Sequence, residues 1–176
     1  MTIRPPIAAV PFLVVAALGQ SIAPTDVDGW SKSKWGMTEK QVRDAFKEEA
    51  VGSESANNLT IPDYRIGRSR FKVAFVMDER TKLLNRVNII PVDGGPGYDG
   101  PVVNTGPENI FDDLKTLLIS KYGQPTSAGA TRPGNSAAVW KFKSTTINLD
   151  ISTLGGVGRF LTLNYRQNAP GDLDRI

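Results

Sequence analysis

Phe71-Lys72-Val73-Ala74-Phe75-Val76-Met77 and, 145 − 71 = 74 residues later, Thr145-Thr146-Ile147-Asn148-Leu149-Asp150-Ile151 share one pattern. Phe71, Val73, Phe75 and Met77 alternate with Lys72, Ala74 and Val76. Thr145, Ile147, Leu149 and Ile151 alternate with Thr146, Asn148 and Asp150. Period two is the signature of a strand with one buried face. Apolar positions on either side repeat at nearly the same offset. Val87 and Ile89 return as Leu161 and Leu163, Tyr64 and Ile66 as Trp140 and Phe142, and Val42, Ala45 and Phe46 as Leu114, Leu117 and Leu118. Such a repeat predicts a duplicated packing unit of one helix followed by three strands. The expected fold class is α+β: a tandem duplicated helix-plus-three-strand repeat with a six-stranded antiparallel sheet. Its two helices would lie on one face, leaving the other to water or a partner.

Local signals place the elements. Thr38 and Gln41 have the spacing of a capping box, with Met37 and Val42 at the staple positions. The helix they open should fade after Glu49, since 52–58 is rich in turn formers. Tyr64–Ile66 reads as a short strand. Leu83–Ile90 reads as the return of a hairpin, with Leu83, Val87 and Ile89 inward. Pro107 suits the first turn of a second helix, Ile110, Leu114, Leu117, Leu118 and Tyr122 form its apolar stripe, and Gly123 and Pro125 stop it. Residues 126–136 read as a flexible loop. The expected organisation is a signal peptide over 1–19, an arm and first unit over 20–90, a Gly/Pro-rich linker over 91–107, a second unit over 108–167 and a flexible tail over 168–176.

The signal-peptide reading rests on Arg4, the apolar run Ile7–Leu18 and the small residues Ala17 and Gly19. Cleavage is expected after Gly19, leaving 176 − 19 = 157 residues, one domain's worth. The run is shorter than the ~20 apolar residues of a membrane span. Losing Arg4 takes the net charge from +3 to 3 − 1 = +2, which gives no reason to expect a nucleic-acid partner.

Several chemistries lack their residues. The chain has no histidine and no cysteine. Ser-His-Asp and Cys-His nucleophiles, the common zinc sites, disulfides and a lipidated cysteine are therefore all excluded. Gly94-Gly95-Pro96-Gly97 lacks the lysine of a phosphate-binding loop, and Asp26 and Asp28 supply only a fragment of a calcium loop. Asp112 and Asp113 suit a helix start, Asp78 and Glu79 a hairpin turn, and Asp150 the polar side of a strand. No catalytic, metal or cofactor residue is assigned.

The candidate partner-binding residues are Trp30, Trp35, Arg68, Arg70, Lys72, Lys141 and Lys143. Side chains two apart on a strand point the same way, so Arg68, Arg70 and Lys72, and likewise Lys141 and Lys143, would form positive stripes. The competing reading is a charged edge strand that blocks unwanted pairing. Trp30 and Trp35 would either staple the N-terminal arm across the sheet or form a partner hot spot.

Gly36-Met37-Thr38-Glu39-Lys40-Gln41-Val42 resembles the G-M-T-x-x-Q-V helix opening of small exported outer-membrane assembly proteins of the SmpA/OmlA type. The doubled helix-plus-strands plan, with Lys121-Tyr122-Gly123-Gln124-Pro125 closing the second helix, is similar to the tandem layout of the β-lactamase-inhibitor-protein type. The lipidated cysteine of the assembly lipoproteins is absent, as is a glycine–proline ending on the first helix. The resemblance implies a fold and a setting in the bacterial cell envelope, and no residue roles.

The expected function is that of an exported, non-enzymatic binding or scaffold module of the envelope. It would meet an envelope or extracellular protein through its open sheet face or the loops at the sheet end. One alternative is a secreted inhibitor of an extracellular enzyme using 91–107 and 126–136. Another is a carboxylate-dependent hydrolase of cell-wall material, which requires two carboxylates facing one cleft.

Overall fold

A computed structural model describes residues 24–49, 51–55, 57–92, 106–132, 134–154 and 158–169. The expected signal peptide, most of the linker and all but two residues of the tail lie outside these.

Chain order begins with a small hairpin, β1 (Gly29–Trp30) and β2 (Ser33–Lys34), and then helix α1 (Glu39–Ala45). Four strands follow: β3 (Gly52–Ser55), β4 (Asn58–Ile66), β5 (Ser69–Met77) and β6 (Leu84–Pro91). Helix α2 (Pro107–Tyr122) precedes four more: β7 (Ser127–Arg132), β8 (Asn135–Lys141), β9 (Thr145–Leu154) and β10 (Gly158–Gln167). The eight longer strands make one sheet in the order β3-β4-β5-β6-β10-β9-β8-β7, with every pairing antiparallel. Two meanders thus meet edge to edge along β6 and β10, where Val87 lies opposite Tyr165 and Ile89 opposite Leu163.

The α+β expectation, a tandem helix-plus-three-strand repeat with its helices on one face, is overturned. Among the described residues the protein is mostly β, 52% strand, with two short helices beside one large sheet. Two segments account for most of the difference. Of 52–58, expected as a turn, Gly52–Ser55 form β3 and Asn58 starts β4; of 126–136, expected as a loop, Ser127–Arg132 form β7 and Asn135 starts β8. Every residue of β3 and β7 is exposed, so neither shows the alternation that betrays a half-buried strand. Backbone pairing to β4 and β8 makes them strands. The first helix also stops at Ala45, with Phe46 as C-cap, short of the expected Glu49.

Caps and stops match their residues. Thr38 accepts from the Gln41 N–H at 3.4 Å, and Gln41 Oε1 accepts from the Thr38 N–H at 2.8 Å. Pro107 opens α2, and Gly123 ends it at φ 81°, a conformation glycine takes without Cβ strain.

The core lies on one face of the sheet. Phe71, Val73, Phe75, Val87, Ile89, Leu161, Leu163, Ile147, Leu149 and Trp140 are all buried there. Its cover is mixed. Val42 and Phe46 come from α1 and its C-cap, Ile110, Phe111, Leu114, Leu118 and Tyr122 from α2, and Trp30 from the hairpin. Leu84, not the expected Leu83, is the inward residue opening β6, because a bulge between Val76 and Met77 shifts the register. Leu117 of the expected apolar stripe is 46% exposed.

An arm before α1 ties the two meanders together. Asp26 accepts from the Ser144 N–H at 2.8 Å and the Ser144 hydroxyl at 2.6 Å. The Thr145 hydroxyl donates to the Val27 carbonyl and accepts from the Trp35 indole N–H at 2.6 Å.

Candidate partner-binding face

The sheet face away from the core is built by the polar half of each strand's alternation. On β5, Lys72, Ala74 and Val76 are half-buried between fully buried neighbours. On β6 the same side carries Arg86, Asn88 and Ile90, and on β10 it carries Phe160, Thr162, Asn164 and Arg166.

Register turns these side chains into rows across the sheet. One row runs Arg86, Arg166, Thr146, Lys141 over β6, β10, β9 and β8. The next runs Ala74, Asn88, Asn164, Asn148, Val139. A third places Asp150 between Thr162 and Ala137. At the far end Ile90 is 44% and Phe160 39% exposed. The face therefore runs from a basic row, through a band of amides, to mixed rows in which Ile90 lies opposite Lys72 and Phe160 opposite Ser152.

Thr146, Asn164 and Lys72 are satisfied internally, but several charged groups are not. Among the described residues, the side chains of Arg86, Arg166 and Lys141 have no carboxylate partner and Asp150 has no hydrogen-bond donor. Burial pushes the Asp150 carboxyl above its ordinary range, as desolvation disfavours the charged form. Asn88 Oδ1 is buried with no hydrogen-bond partner. Eight strands spaced about 4.8 Å apart, with about 20 Å of strand length, span on the order of 700 Å². A standard protein interface buries roughly 800 Å² per partner.

Of the expected site residues, Arg70, Lys72 and Lys141 lie on this face, and they do not converge. Trp30 is 6% exposed, stacked on Phe46 at 5.9 Å and packed against Tyr64 and Phe75, so it belongs to the core. Trp35 is half-buried and bonded to Thr145. Arg68 sits in the β4–β5 turn, paired with Asp113 of α2 at 3.0 Å. Arg70 grips both oxygens of Asp63 at 2.7 and 2.6 Å, and Lys72 pairs with Glu54. Lys141 joins the basic row, four strands from Lys72, which is about 19 Å across the sheet, and four residues further along it. Lys143 is exposed beyond the end of β8. Strand alternation contains the signal for Arg86 and Arg166, but their adjacency is created by pairing between strands 80 residues apart.

Of the hydrolase's requirements, the nearest match is a hollow of about 310 Å³ lined by Glu108 and Asp112, with Lys115 and Arg159. Both carboxylates project from one helix wall, and Glu108 is paired with Arg159. Glycoside chemistry places its two groups on either side of the scissile bond. Among the described residues no group of three or more potential metal ligands occurs, and no helix is long and apolar enough to cross a membrane. Of the segments expected as inhibitory loops, 127–132 and 135–136 are strand and 93–105 lies outside the described residues.

No protein-family model, curated protein or solved structure matches the chain.

Proposed function

We propose that the chain is an exported, non-enzymatic binding module whose open sheet face docks an acidic envelope protein. The observation that carries this reading is the composition of that face. It presents Arg86, Arg166 and Lys141 without ion-pair partners among the described residues, together with exposed Ile90 and Phe160, over an area of interface size. A basic row favours an acidic complement, and the exposed Ile90 and Phe160 side chains supply contact area that water opposes. Export rests on Arg4 and the Ile7–Leu18 run.

Site-specific photo-cross-linkers at Ile90, Phe160 and Lys141 test the reading, with Ser120 on the exposed side of α2 as the control. In the native host the three face positions should capture the same acidic protein and Ser120 should not. Equal capture at Ser120, or three unrelated partners from the face, overturns it.

A further inference from the structure

We propose that Arg86 and Arg166 form a two-guanidinium seat for one carboxylate of the docking protein. The inference rests on the open-face reading and assigns its chemistry at one point. The two arginines are direct cross-strand partners on the seam between the meanders. Like charges placed directly opposite destabilise a sheet. The cross-strand pair Arg65 and Arg70 has Asp63 against Arg70 to offset this. Here neither guanidinium has an ion-pair partner among the described residues.

Beside the pair is a hollow of about 280 Å³ lined by Asn85, Arg86, Arg166, Gln167, Asn168 and Ala169. One wall is held rigidly. Asn168 donates to the Phe142 carbonyl at 2.8 Å and the Lys143 carbonyl at 3.2 Å, and its Oδ1 accepts from the Thr146 hydroxyl at 2.7 Å. The hollow exceeds the ~30 Å³ share of a single water several-fold, so a carboxylate can enter with part of its hydration. Arginine's planar fork matches a carboxylate's two oxygens, and two forks meeting from adjacent strands can each supply N–H donors to one group. The remaining basic group of the row, Lys141, lies two strands beyond Arg166 and adds long-range attraction.

The test is NMR of the arginine Nε–Hε groups in the full chain at low ionic strength. Sodium acetate and sodium phosphate are titrated separately, with sodium chloride matching ionic strength. Acetate should shift Arg86 and Arg166 together and saturably, while chloride and the control residues Arg80 and Arg132 show no such response. R86Q should abolish the saturable response of Arg166. Without added anion R86Q should melt about 1–2 °C above the parent, since it removes a like-charge pair. The seat is overturned if Arg80 responds equally, if Arg166 in R86Q still saturates, if only phosphate binds, or if R86Q melts lower. Persistence of the cross-links at Ile90 and Phe160 alongside any of those results leaves the docking face standing without its seat. Loss of the cross-links with the acetate response intact overturns the face instead.

Discussion

Replacing Trp30 by alanine separates a core residue from a recognition residue. The indole is 6% exposed and has three aromatic neighbours, with centroids at 5.9 Å from Phe46, 5.2 Å from Tyr64 and 5.9 Å from Phe75. A large aromatic buries roughly 200 Å², which at about 25 cal/mol per Å² amounts to about 5 kcal/mol. Denatured chains already bury part of that area, which lowers the figure to about 3–4 kcal/mol. That agrees with the range of about 3–5 kcal/mol for truncating a buried Phe or Trp. Urea unfolding should therefore show Trp30→Ala weakened by about 3–4 kcal/mol with an unchanged slope. Trp30→Phe, which keeps a ring against Phe46, should lose less than half as much. A loss below about 1 kcal/mol for Trp30→Ala would refute the packing argument. It would mean that the tryptophan belongs to a partner surface instead.

The arm gives a pH-dependent prediction. Burial alone would raise the Asp26 pKa, but the Ser144 hydroxyl and N–H and the Val27 N–H hold it below the ordinary value. A lowered folded-state pKa contributes stability above the unfolded value that is lost as pH falls through the folded one. Asp26→Ala should cost about 1 kcal/mol at pH 7, and thermal melts should show the gap to the parent closing below about pH 4. Asp150 has the opposite sign, its pKa being raised by burial, so ionisation costs stability as pH rises through that value. Asp150→Asn should melt above the parent at pH 7 and no higher than it at pH 3. Gly123→Ala should destabilise by about 1–2 kcal/mol in chemical denaturation, because φ is 81° and a Cβ is strained there.

Some of this architecture could be read directly from the chain. Thr38 with Gln41, and Gly123 after Tyr122, mark helix ends through local chemistry that no tertiary contact needs to supply. The alternation of 71–77 and 147–151 is likewise local, because one buried face imprints period two. The strands at the two sheet edges left no such imprint. Gly52–Ser55 and Ser127–Arg132 bury no side chain, so only their backbone pairing makes them strands. Reading them as turn and loop kept the expected repeat at three strands and gave the helices too large a share.

The face shows the same division. The basic run from Arg65 to Lys72 is visible in sequence. The carboxylates that engage it, Asp63, Glu54 and Asp113, come from a bulged strand, a sheet edge and a distant helix. Arg86 and Arg166 attract no attention singly and become a pair only through the β6–β10 register. Trp30 looked available because a tryptophan in a polar stretch has no visible partner; Phe46 and Phe75 supply the packing from other elements.

The arm also affects the order of assembly. Asp26 finds its partner 118 residues later in the chain, at Ser144. On a chain emerging N-terminus first, the earliest described residues must wait until β9 exists before they can dock. The lashing between Asp26, Trp35 and the 144–145 corner thus closes only once the chain has reached the second meander. A chain truncated before that corner would leave Asp26 and the Trp35 indole without these partners, a built-in mark of incompleteness that quality-control proteases can act on.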